Sequence, residues 1–340
     1  MTACGTHAGV DAAAREAIVF FETVGERHTL PLGGLTAIER RVREVAKQGA
    51  ARAIVAGAPV EFPRPLPIPV EFVAPGTAPP EGARRERADV IAGIELVDEP
   101  ARRAAEWKLI RGLSKGFEGP VDQLINWRLS MRITRVLAGR SLAITPNQVT
   151  VVAIAVGLAA ALVASRGGAA LVLAGVLFQL NAILDCVDGE LARLRFQYSK
   201  LGQWLDNLSD EVVDNAFAVG VAWSLGGIWL WLALGAAGGR LVNAIVVYTD
   251  VYRRTGTGDV FAFRWWFEKS SASAVEIYDP RSPLTWLRSL GRRDTYVFLW
   301  SVACVVRFPY WVVGHAAGIA AIYLVLLSLQ YTVFRNRRRA

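Results

Sequence analysis

The chain of 340 residues is poor in soft-metal and redox groups, with three cysteines, three histidines and two methionines. Cys4, Cys186 and Cys304 lie far apart and form neither a disulfide framework nor a Cys-x-x-Cys metal pair, so they say nothing about redox compartment. His7, His28 and His315 are equally scattered, which leaves zinc chemistry without support. The N-terminus carries no apolar leader and is expected to stay on the side where it is made. A net charge of +8 invites a nucleic-acid reading. The basic residues flank apolar runs, however, and carry no nucleic-acid-binding signature, so no such partner is expected.

What the chain does have is apolar sequence, and it is segregated. Hydrophobic residues make up 53% of the chain and charged ones 20%, with a mean hydropathy of +0.32. Before about residue 140 the sequence is soluble-like and rich in Arg and Glu; after it come long apolar runs with tryptophans near their ends. Six stretches, at about 148–166, 169–187, 207–225, 228–249, 294–313 and 315–334, approach the roughly 20 residues that span a bilayer. Loops after the first, third and fifth are short and poor in cations. The opposite loops carry Arg193, Arg195 and Lys200, then Arg253, Arg254, Arg264, Lys269, Arg292 and Arg293, and the C-terminus adds Arg335, Arg337, Arg338 and Arg339. Positive-inside bias therefore predicts a multi-pass inner-membrane protein with both termini in the cytoplasm. Membrane lipids are expected partners, and the basic surface suits anionic ones.

One constellation lies where apolar runs meet polar sequence. It reads Asp185-x-x-Asp188-Gly189-x-x-Ala192-Arg193, eight residues, then Gly202-x-x-x-Asp206-x-x-x-Asp210. By chance it arises on the order of 10⁻¹⁰ times per starting position. Positions 185, 188, 189 and 192 share one helical face, and 202, 206 and 210 stack on another. Four converging carboxylates repel one another unless cations neutralise them, and hard divalent ions such as Mg²⁺ or Mn²⁺ prefer oxygen ligands. The Gly and Ala positions leave a strip of bare backbone against which a phosphorylated ligand can lie.

These eight residues resemble the signature of the CDP-alcohol phosphotransferase family, matching it at every fixed position. The resemblance implies a membrane enzyme that transfers a substituted phosphate from a CDP-linked donor, of the CDP-diacylglycerol or CDP-inositol type, to an alcohol acceptor such as inositol, inositol phosphate or glycerol phosphate, releasing CMP. Asp185, Asp188, Asp206 and Asp210 would hold two divalent cations, and Asp210, which ends the series, would also take the acceptor's proton. Gly189, Ala192, Arg193 and Gly202 would bind the donor. Thr145-Pro146-Asn147-Gln148-Val149-Thr150 resembles the family's entry into its first transmembrane helix, which adds Asn147 and Thr150 to the donor site. Acceptor contacts fall to Arg240, an Arg inside an apolar span, and to Arg253, Arg254 and Arg293; Arg293 serves equally as an interfacial anchor. Asp214 extends the acidic row, with hydrogen-bonded packing as its expected role.

The fold class expected is an α-helical integral membrane protein of six transmembrane helices, with a juxtamembrane amphipathic helix and a small N-terminal α/β cytoplasmic domain. Residues 1–100 form the α/β domain, 101–147 the linker and amphipathic helix, and 148–340 the membrane domain. Val121 to Leu137 alternates Leu124, Ile125, Leu129, Ile133, Val136 and Leu137 with Arg128, Arg132 and Arg135, which predicts a helix lying in the headgroup plane. In the N-terminal part, strands at 17–21 and 53–56 flank a helix at 36–48, a βαβ order that predicts parallel pairing. It resembles the opening of a nucleotidyltransferase domain with its Gly-rich loop reduced to Glu22–Arg27 and its body too short, so an inactive relative is expected. The Pro-rich stretch from Pro59 to Pro80 is expected to form extended connections. The domain order and linker resemble the bifunctional enzymes that make di-myo-inositol phosphate phosphate. Two alternatives stand beside transfer: an N-terminal domain that also makes the CDP donor, and a silent membrane anchor for a partner-binding domain. A homodimer is the assembly to test.

Overall fold

A computed structural model describes residues 18–113, 119–139, 144–256, 263, 265–266 and 289–333. The basic positions Arg264, Lys269 and 335–339, and the first residue of the strand expected at 17–21, lie outside the described residues. The chain forms two compact units. One holds residues 18–113, 135–139 and 194–196, and the other holds 119–134, 144–193 and the described residues from 197 onward.

In the first unit, β1 (Ile18–Glu22) is followed by a small hairpin, β2 (Pro31–Leu32) and β3 (Leu35–Thr36), and by α1 (Ala37–Lys47). Thr36 caps α1 by accepting the Glu39 amide. Ile38, Val42 and Val45, at helical spacing, bury against Val19, Phe21, Ala53 and Val55 of the sheet. β4 (Arg52–Ala56) pairs parallel with β1, as the βαβ order predicts, and β6 (Arg84–Arg87) pairs parallel with β1 on its other side. The fourth strand has no clear signature in the sequence: β5 (Val70–Val73) arises inside the Pro-rich stretch and pairs parallel with β4. Proline cannot donate to a ladder, but residues 70–73 contain none, and β5 lies at the sheet edge. A second hairpin, β7 (Val90–Ile91) and β8 (Ile94–Glu95), leads to α2 (Glu99–Arg111), capped by Asp98.

The second unit is helical. A π turn at Asp122–Asn126 runs into α3 (Trp127–Gly139), then come α4 (Pro146–Ala164), α5 (Ala170–Leu194), α6 (Lys200–Leu225), α7 (Gly227–Thr255), α8 (Arg293–Val305) and α9 (Tyr310–Thr332). Thr145 and Gln148 close a capping box at the start of α4, with Pro146 in its first turn, and Ser199 caps α6 through the Gly202 amide. Phe178, Phe217 and Trp300, from α5, α6 and α8, are fully buried at the core. A β-carbon at Gly220 would strike the Ala161 backbone, so glycine sets how closely α4 and α6 approach.

Four helices, α4, α5, α7 and α9, are long and apolar enough to cross a membrane. Their outward side chains, among them Leu162, Trp231 and Ile322, are large and apolar, as a lipid-facing surface requires. The other two expected crossings fall on α6, whose first half carries the acids, and on α8, which has 13 residues. A helix forms over most of the range expected, 121–137, as the π turn followed by α3, and Leu124, Leu129 and Val136 are exposed there. Its buried positions include the polar Asn126, Ser130 and Thr134, spaced by four, beside the apolar Val121, Met131 and Ala138.

Candidate active site and its acidic cluster

The motif straddles the end of α5 and the start of α6, and the two helices bring its halves together. One oxygen from each of Asp185, Asp206 and Asp210 lies within 4.8 Å of the others. All three side chains are partly accessible. Asp188 stands apart from this trio: it is buried, and its Oδ2 accepts the Thr150 hydroxyl at 2.5 Å. Three carboxylates this close need positive charge among them, and their hard oxygen donors fit a divalent ion of the Mg²⁺ or Mn²⁺ kind. A guanidinium meets that need here. Arg293, the first residue of α8, places Nη1 2.8 Å from Asp185 Oδ2 and 2.9 Å from Asp210 Oδ1.

The residues expected to bind the donor lie at the end of α5 and the starts of α4 and α6. Gly202 opens α6, and a β-carbon there would meet Ser199 Oγ at 2.9 Å and Asn147 Oδ1 at 3.0 Å, so the α4 entrance lies against the α6 entrance. Gly189 faces the Arg193 guanidinium, which would sit 3.2 Å from a β-carbon at that position. Ala192 is partly buried one turn from Asp188.

The expected acceptor residues separate. Arg240 is bound into a buried network: its Nη2 lies 3.3 Å from Asp214 Oδ2, 3.4 Å from Glu211 Oε2 and 3.1 Å from the Tyr296 hydroxyl. Tyr296 in turn donates to Asp214 at 2.5 Å, so Asp214 is hydrogen-bonded within this network. Arg253 and Arg254 are exposed at the end of α7, and Arg254 pairs with Asp250 at 3.1 Å.

Three features went unread in the sequence. Glu190, inside the motif, is buried and accepts hydroxyls from Ser130 and Thr134, each at 2.5 Å. Asn181 receives one Arg293 nitrogen at 3.4 Å and donates to the Ala153 carbonyl. Asp122, outside the membrane helices, accepts the Asn126 amide at 2.8 Å; burial, then the nearby Asp294 charge, pushes its carboxyl up to about 6. An Asn inside an apolar run, an extra acid within the motif, and the spacing-by-four of Asn126, Ser130 and Thr134 were the available signals.

Known proteins resemble this chain over much of its length. The chain is 33% identical over 232 residues to the bifunctional IPC transferase and DIPP synthase of Thermococcus kodakarensis, covering 67% of this chain and 45% of that protein. The protein of the same name from Aquifex aeolicus is 37% identical over 201 residues, 59% of this chain and 40% of its own length. An archaetidylinositol phosphate synthase of Pyrococcus horikoshii is 38% identical over 100 residues, 29% of this chain and 50% of that enzyme. The chain thus spans half or less of each of these relatives. The model of the CDP-alcohol phosphatidyltransferase family matches residues 143–277, which hold the whole acidic motif, and the chain therefore carries a CDP-alcohol phosphatidyltransferase domain.

Proposed function

We propose that this protein transfers a substituted phosphate from a CDP-linked donor to an alcohol acceptor and releases CMP. The observation that carries the reading is the convergence of Asp185, Asp206 and Asp210 from two helices within a domain of this family. Asp188 completes the set from one turn along α5, oriented by Thr150. Bound Mg²⁺ or Mn²⁺, as a pair of ions, would neutralise charge on the pyrophosphate and on the departing CMP oxygen.

The chain's own groups do the rest. Gly189, Ala192 and Gly202 let the donor approach the backbone, while Asn147 and Thr150 offer polar contacts from α4. Arg193 pairs with donor phosphate. The acceptor oxygen bonds to the phosphorus distal to cytidine as the phosphorus–oxygen bond to CMP breaks. Asp210 receives the acceptor's proton, and its place on α6 one turn beyond Asp206 suits it to both metal and proton. Arg253 and Arg254, exposed at the end of α7, are the available cations for an anionic acceptor.

An inositol-containing acceptor is favoured because one relative's name is an archaetidylinositol phosphate synthase. Six crossings are proposed, with α6 as a crossing polar at one end and α8 as a short one, and both termini on the cytoplasmic side. The N-terminal α/β region is assigned no donor synthesis: its first loop, Glu22–Arg27, has one glycine with which to cradle phosphate. Purified protein incubated with CDP-diacylglycerol or CDP-inositol, then with inositol, inositol phosphate and glycerol phosphate in turn, tests the proposal. CMP should appear with at least one pairing, and CMP release with none of them would refute it.

A further inference from the structure

Arg293 is in an unusual place for a cation. It is the first residue of α8, where the helix dipole favours negative charge. Three carboxylates from other helices compensate: Asp185 at 2.8 Å, Asp210 at 2.9 Å and Asp214 at 3.5 Å. Two of these belong to the trio proposed to bind divalent ions. An Arg bridging two such carboxylates engages the lone pairs an ion would use, and its charge repels an incoming dication.

The next residue fixes where Arg293 stands. Asp294 is buried and points the other way, accepting the Val121 and Asp122 amides at 3.2 and 3.4 Å. Gly119 packs so closely on this carboxylate that a β-carbon there would overlap it. The start of α8 is thus stapled to the start of the juxtamembrane segment on one side while its guanidinium enters the acidic cluster on the other.

We propose that Arg293 is a resident counter-cation that competes with divalent ions for Asp185 and Asp210, and that the Asp294 staple to residues 121–122 sets its reach. The inference rests on the reading that this cluster binds divalent ions. Arg293 balances the acids when ions are scarce, and the ions must displace it. Arg293 is then a determinant of metal affinity, and Asp294 a positioning residue acting through it.

The test is Mn²⁺ binding by the purified full-length protein without substrates, followed by the electron paramagnetic resonance signal of free Mn²⁺. Arg293→Gln should bind Mn²⁺ at least tenfold more tightly than wild type, and unfold at lower temperature in chelator because the acids have lost their counter-charge. Arg293→Lys keeps the charge but cannot bridge two carboxylates as a guanidinium does, so it should bind several-fold more tightly; it serves if the Gln variant does not fold. Asp294→Ala should also tighten binding, whereas Asp294→Asn, which retains an acceptor for the two amides, should stay near wild type. Unchanged or weaker Mn²⁺ binding in the Arg293 variants would overturn the competition. Identical affinities for Asp294→Ala and wild type would overturn the staple. Asp206→Asn separates the two levels: wild-type protein with no Mn²⁺ site sensitive to that change would remove the metal reading itself, while a sensitive site indifferent to Arg293 would remove only this inference.

Discussion

Thr134→Val removes one hydroxyl and changes little else, because the two side chains have nearly the same shape. Thr134 donates at 2.5 Å to Glu190, whose other oxygen accepts Ser130 at the same distance, and all three groups are buried. Hydrogen bonds to a charged acceptor are each worth about 1.5–3 kcal/mol, because the partner left behind is buried with an unmet lone pair. Neutral interhelical hydrogen bonds in membrane proteins average only about 0.6 kcal/mol. The carboxylate places Thr134 in the first class, so the variant should lose roughly 1.5–3 kcal/mol and several degrees of melting temperature. Ser130→Ala should cost a similar amount, and the double variant should depart from additivity because both hydroxyls serve one carboxylate. Equilibrium unfolding of the detergent-solubilised protein measures all three. A loss below about 0.5 kcal/mol for either single change would refute the claim that this pair anchors the juxtamembrane helix to α5.

Asp185→Asn and Asp206→Asn should each remove most divalent-dependent turnover while leaving the protein folded, and near-normal turnover in either would break the cluster as described. Asp210→Asn should lower kcat far more than donor affinity if it takes the proton, since that loss falls on the transition state; full rescue by excess Mn²⁺ would leave it a metal ligand only. Asp122 is held protonated to about pH 6 in the folded chain, so the folded state binds its proton more tightly than the unfolded one. Asp122 should therefore contribute a fall in stability in chelator as pH rises from about 4 to about 6, and Asp122→Asn should lack that component, whereas parallel stability curves for the two proteins over that range would contradict it.

Much of this was legible in the sequence because the signals were local. The acids at i, i+3 on α5 and i, i+4 on α6 needed only helical periodicity to be placed on two faces, and the Thr145-Pro146-Asn147-Gln148-Val149-Thr150 phrase marked the α4 start, where the structure closes a capping box. The βαβ order similarly fixed the pairing of β1 with β4. What could not be read depends on contacts between distant segments. β5 was hidden because prolines dominate its surroundings, although the four residues that pair contain none. Asp188 is bonded by Thr150, 38 residues earlier, and Arg293 reaches Asp185 across 108 residues. Arg240 looked available for an acceptor because a lone Arg in an apolar span is costly; the cost is met by Glu211, Asp214 and Tyr296.

The central claim is that these carboxylates, with divalent ions, drive CMP release from a CDP-linked donor. Its most direct test measures CMP formed by purified protein from CDP-diacylglycerol or CDP-inositol with an inositol-containing acceptor, in Mg²⁺ or Mn²⁺ and after chelation, alongside a folded Asp206→Asn variant. CMP release should depend on acceptor, stop on chelation, return with added metal and be largely absent in the variant. CMP release that persists in chelator, or an Asp206→Asn variant as active as wild type, would contradict it.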